Sequence, residues 1–168
     1  MNTKINGKGM NSIYNTTPVT SSGTTSQVIM QSLLVPGGTY TSGDLIQITS
    51  LFSKTGIGGT NGYTFFVNTS VSVSGASQIA VRGTATGNGF VFFSRHLFIY
   101  EQTGTGTGTL QGTETFSSTF QIASEYVRGR KTNTNINWAN DVYIFATCQL
   151  TSVSDSISQI YMKIWDPL

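Results

Sequence analysis

The sequence is short of charge. Lys, Arg, Asp and Glu make up 10% of its 168 residues, where an ordinary soluble domain carries roughly 25%. Nine basic against seven acidic residues leave a formal net charge of +2. So weak a field cannot hold a phosphate backbone, which argues against a dedicated DNA or RNA binder. There is one Cys, Cys148, and one His, His96. A lone Cys forms no internal disulfide and no Cys-rich zinc site. The strong helix formers are scarce, with 6 Ala, 8 Leu, 3 Glu and 5 Lys. That is too little material for the faces of a helical bundle or a coiled coil. No apolar run reaches the length of about 18 residues that a transmembrane helix needs. The opening stretch, Met1-Asn-Thr-Lys-Ile-Asn-Gly-Lys8, lacks the apolar centre of a secretion signal. The chain is therefore read as made in a cytoplasm, and its two sequons at Asn15 and Asn68 as chance matches in an Asn- and Thr-rich sequence.

What the chain has instead is hydroxyl. It holds 20 Ser and 26 Thr, with 19 Gly and 11 Asn beside them. Residues 1–26 carry few large apolar side chains and cannot bury enough surface to order themselves. They are expected to form a flexible arm that orders only against a partner. Lys4, Ile5, Lys8, Ile13 and Tyr14 are its candidate anchoring residues.

From Gln27 onward the pattern is one of short β runs separated by turns. Val28–Val35 is a strand closed by Pro36-Gly-Gly, where Pro removes an amide donor and Gly accepts positive φ. Thr41-Ser-Gly-Asp44 is a turn into the strand 45–52, with Ile46, Ile48 and Phe52 on one face and Leu45 and Leu51 on the other. Further strands are expected at 63–68, 77–82, 114–122, 141–150 and 156–165, the last with Ile160, Met162 and Ile164 on one face. The run 89–100 is aromatic and β-branched, and long for one strand, so a bend or bulge is expected near Ser94-Arg95-His96. The glycine tracts 54–62 and 103–109 are expected to be loops. Val127–Lys131 gathers three of the nine basic residues. Eight to ten short strands with turns between them and no helix of length predict an all-β antiparallel two-sheet sandwich, jelly-roll-like, over residues 27–168.

The residue types that do chemistry are sparse. His96 lies inside an apolar strand beside Ser94, and a Ser–His pair can be written for almost any chain with 20 serines. The seven carboxylates, Asp44, Glu101, Glu114, Glu125, Asp141, Asp155 and Asp166, show no metal-loop spacing, and their scatter through turns disfavours the facing pair of a glycosidase without excluding it. Asp44 and Asp141 each precede a strand by one position, where a carboxylate bonds turn amides. The glycine tracts lack the strand-to-helix context and Lys-Ser/Thr ending of a phosphate cradle. Cys148 reads as a small filler in a strand. Most aromatics read as core; Tyr14, Tyr40, Tyr126 and Trp138 fall near turns or loop ends. No catalytic residue, cofactor or metal is expected.

The stretch Leu33-Leu-Val-Pro-Gly-Gly-Thr-Tyr-Thr-Ser-Gly-Asp-Leu-Ile-Gln-Ile48 resembles a β-rich module of virion structural proteins in tailed bacteriophages, particularly those of Bacteroidetes-type hosts. The likeness continues through Phe52–Gly59, Phe66–Ser70 and Ser74–Ala76, and returns at Asn137–Phe145. It spans roughly residues 27–165 and supplies no catalytic residue. It implies a β-sandwich of head fibres, capsid-decorating proteins or tail-fibre tips, commonly a homo-oligomer and often a trimer. The expected function is therefore a non-enzymatic virion protein, made in the host cytoplasm and held on the capsid through residues 1–26. With no fibre shaft ahead of the module, a small stand-alone component is favoured. The alternative is a receptor- or glycan-binding knob of a tail fibre, with a host-surface glycan as partner. Neither reading calls for nucleic acid or membrane.

Overall fold

The computed structural model describes residues 12–41, 43–57, 62–82, 88–102, 107–114 and 136–166. They form eleven strands. In chain order these are β1 (Ser12–Asn15), β2 (Val19–Ser22), β3 (Val28–Val35), β4 (Leu45–Thr55), β5 (Gly62–Asn68) and β6 (Ser77–Arg82), then β7 (Gly89–Gln102), β8 (Thr107–Glu114), β9 (Ile136–Asn137), β10 (Val142–Gln149) and β11 (Ser156–Trp165). The larger sheet has the order β1-β11-β4-β7-β8-β9, with β2 also on β11, and the smaller has β3-β10-β5-β6. Every pairing is antiparallel. The result is the expected all-β two-sheet sandwich.

The pairing is nested. β2 lies on β11, β3 on β10, β4 on β7 and β5 on β6. The chain is in effect one long hairpin with its tip between β5 and β6, curled so that successive rungs fall in alternate sheets. β8 and β9 extend the larger sheet beyond β7.

Alternation places the core. Ile46, Ile48 and Phe52 of β4 and Val91, Phe93, Leu97 and Ile99 of β7 point inward and are buried. They meet Tyr63, Phe65 and Val67 of β5 and Val142, Ile144 and Ala146 of β10. Ring contacts join the sheets: Phe52 to Tyr63 at 4.1 Å between centroids and Phe65 stacked on Phe93 at 4.2 Å. Aromatic pairs in such geometry add about 0.5–1.5 kcal/mol beyond their burial.

Four sequence readings are corrected. First, residues 12–22 are not a free arm: they form β1 and β2 along the edge of β11, with Ile13 and Val19 packed half-buried against the core. An edge segment is held by main-chain hydrogen bonds that Ser and Thr supply as well as Leu does, so low apolar content is a poor sign of a free arm here. The segment breaks at Thr16-Thr17-Pro18, where Pro18 has no N–H and Asn15 Oδ1 accepts from Thr17 N–H at 2.9 Å. Residues 1–11, with Lys4, Ile5 and Lys8, lie outside the described residues. Second, β7 pairs β4 without a break from Gly89 to Phe98; its irregularity faces β8, between Ile99 and Glu101. Third, Thr107–Glu114 is a strand, so residues 107–109 of the tract expected as a loop belong to it, and 103–106 lie outside the described residues. The strand expected at 114–122 and the basic group 127–131 also lie outside them, save for Glu114. Fourth, β11 carries a bulge, with Gln159 opposite Phe52 and Tyr161 opposite Leu51. The spare residue is Ile160, so the inward set is Ile157, Gln159, Met162 and Ile164, all fully buried, while Ile160 is only half-buried.

That bulge is stitched to another. β3 carries its own register shift against β10, between the pairs Ser32–Phe145 and Ile29–Thr147. The Gln31 N–H donates across the sandwich to Gln159 Oε1 at 2.8 Å. Gln159 Nε2 donates to Ser50 Oγ at 2.9 Å, and Ser50 Oγ donates to the Tyr161 carbonyl at 2.8 Å. One buried glutamine thus links backbone groups of both irregular strands.

Candidate interaction surface

The outward face of the larger sheet is the most unusual surface among the described residues. It follows from the alternation of β4 and β7 and from that of β11 on either side of its bulge. Opposite one another lie Phe92, Leu51 and Tyr161; the next rung reads Ser94, Thr49, Lys163 and Tyr14, and the one beyond it His96, Gln47, Trp165 and Ser12. Phe90, one rung the other way, is 70% exposed, and Phe92 and Tyr14 are each 39% exposed. Isolated exposed apolar residues are ordinary, but several on one flat open face mark a contact surface.

The polar groups between these side chains are tied down. Gln47 Nε2 donates to Ser94 Oγ at 2.7 Å, and the Thr49 and Tyr161 hydroxyls meet at 3.2 Å. Along β1, β4, β11 and residues 89–97 of β7, Lys163 is the one full charge on this face. Its Nζ lies over the Trp165 ring, 5.1 Å from the centroid, which holds the ammonium beside the sheet.

The sequence-predicted anchors divide here. Tyr14 joins this face opposite Lys163, while Ile13, opposite Ile164, turns into the sandwich. Phe90 and Phe92 were missed, because aromatics in strands read as core. Alternation with the buried Val91 and Phe93 is the signal that identifies them.

The residues screened for chemistry are dispersed. Asp44 Oδ2 accepts from Thr41 N–H at 2.6 Å and Asp141 Oδ1 from Gly37 N–H at 2.8 Å, the turn-bonding role expected of both. Asp155 is wholly buried, with Oδ2 3.1 Å from Lys54 Nζ. His96 sits half-exposed on the outward face. Cys148 is buried, its thiol donating to Met30 Sδ at 3.4 Å, and burial pushes its pKa up to about 11. Burial, with Asp166 and Asp44 nearby, raises the Tyr40 phenol far above its ordinary range. Among the described residues no three of His, Cys, Asp and Glu gather closely enough to hold a metal ion, and no helix is long and apolar enough to cross a membrane. No family model, curated protein or solved structure matches the chain.

Proposed function

We propose that this chain is a non-enzymatic structural protein of a bacteriophage particle, a capsid-attached head-fibre or decoration component that associates with further copies of itself through the outward face of its larger sheet. One observation carries the reading: that face carries the exposed aromatics Phe90, Phe92 and Tyr14, and along β1, β4, β11 and residues 89–97 of β7 its one full charge is Lys163. A sandwich that lives as a monomer guards such a face with Lys and Glu. Another copy suits it because a net charge of +2 sets up little repulsion between subunits. The likeness of Leu33–Ile48 and Asn137–Phe145 to phage virion modules supports the setting. The nested strand pairing supports a jelly-roll sandwich, an architecture at home in capsids. Residues 1–11 would hold the particle, with Lys4, Ile5 and Lys8 as contacts.

Two measurements test this. A reconstruction of the intact particle should show ordered copies on the capsid. Light scattering on the purified protein should give a trimer, and Phe90→Lys with Phe92→Lys should give a folded monomer. A wild-type monomer at all concentrations, or absence of the protein from the particle, overturns the reading.

A further inference from the structure

The smaller sheet carries a cleft on its outward side with a chemistry of its own. It has a volume of about 560 Å³, within the range of roughly 300–1,000 Å³ typical of small-molecule sites. Its floor is Thr147 of β10, 1% exposed, which lies opposite Thr64 of β5. One wall is the segment leading into β3, with Thr25 and Gln27, and another is Gln149 at the end of β10. Gly62 stands opposite Gln149 and leaves the space above the strand open.

We infer that this cleft binds a neutral oligosaccharide. Among the described residues, none of its lining side chains is charged. Its two glutamines are held in place by their own donors: Gln27 Nε2 to Thr147 Oγ1 at 2.9 Å, and Gln149 Nε2 to the Thr25 carbonyl at 3.1 Å. Both amide oxygens are thereby oriented as acceptors, beside the Thr25 and Thr64 hydroxyls, which both donate and accept. Adjacent sugar hydroxyls require this mixture of fixed acceptors and rotatable hydroxyls. A charged ligand would enter with no countercharge to replace its water. Among the described lining residues Leu150 is the only apolar one, and none of them is an aromatic for a sugar to stack on. Binding at one site is therefore weak, with a dissociation constant of about 1 mM. Many copies on one particle would raise the avidity. The inference does not depend on the assembly face, which lies on the other sheet.

The test is an amide-shift titration of the labelled full chain with maltotetraose, mannotetraose and chitotetraose, and with 3′-sialyllactose as the charged comparison. At least one neutral probe should give saturable shifts confined to Thr25, Gln27, Gly62, Thr64, Thr147 and Gln149. Gly62→Trp should weaken binding at least about tenfold. A Cβ at Gly62 meets nothing within 4 Å, so that side chain fills the cleft without displacing the strand. If Gly62→Trp loses its dispersed spectrum, Gln149→Ala, at an exposed position, takes its place with the same expectation. The inference is overturned if no neutral probe gives saturable shifts up to about 10 mM, tenfold above the expected constant. It is equally overturned if sialyllactose shifts these amides more strongly, or if the folded variant binds as the wild type does.

Discussion

Lys54 and Asp155 are both fully buried and 3.1 Å apart, in a protein that has few charges to spend. Lys54 Nζ also donates to the Gly56 carbonyl at 2.7 Å. The pair ties the end of β4 to the turn before β11. Taking two ions out of water is costly, and breaking such a pair leaves one charge stranded. Lys54→Met should destabilise the fold by about 3–5 kcal/mol in urea unfolding, and Lys54→Met with Asp155→Leu should recover most of that loss. Gly56 itself has φ +105° and a Cβ there would run into the Asp155 carboxylate, so Gly56→Ala should also destabilise. Cys148 offers a second test. Its thiol titrates at 9.0 when unperturbed and at about 11 when buried. Between those values the folded chain keeps a proton that the unfolded chain gives up. Stability from this residue is whole below pH 9 and declines as pH rises toward about 11. At pH 8 the native thiol should resist a disulfide reagent and react once urea unfolds the chain.

Among the elements, the two bulged strands and the glutamine between them set the register. Gln159→Ala would orphan the Gln31 N–H and cut Ser50 from its donor. At about 1–3 kcal/mol for each buried group left unpaired, a loss of about 3 kcal/mol is expected in chemical denaturation, with Gln159→Glu no better. This element also marks how far the sequence could be read. The two faces of β4 were legible, since Ile46, Ile48 and Phe52 alternate cleanly with Leu45 and Leu51. The bulge in β11 was not, because one spare residue turns the inward set from Ile160 to Gln159, and a buried glutamine looks like a surface residue until its partners are known. β1 and β2 escaped notice for a related reason: their hold on β11 is main-chain pairing, which leaves little trace in side-chain identity. Of the outward face, Tyr14 was singled out only as an anchoring candidate of the expected arm, whereas Phe90 and Phe92 were hidden by the apolar run around them.

For the whole molecule, the proposed assembly rests on apolar contact around Phe90, Phe92 and Tyr14, with Lys163 as the one charge along β1, β4, β11 and residues 89–97 of β7. Its strength should be nearly independent of sodium chloride between about 0.05 and about 0.5 M, since there is little charge to screen. Sulfate, which favours apolar burial, should strengthen it. Sedimentation across both salts checks this, and dissociation by sodium chloride would point to a charged interface instead.

The nested pairing bears on how the chain comes to be folded. β11 is made after the ten other described strands, yet it lies inside the larger sheet, with β1 and β2 on one side and β4 on the other. Until it arrives, β4 has an open flank and the first strands have no partner to lie on. Folding must therefore wait until Trp165 has been made, and it closes contacts between strands far apart in sequence, a topology that folds in milliseconds to seconds rather than microseconds. A ribosome-bound chain stopped before Ser156 should be readily cleaved by protease, and the same chain extended past Trp165 and clear of the ribosome should resist it. The proposed assembly face, built across β4, β7 and β11, would then come into being only at that last step, so copies could not join through it before each has folded.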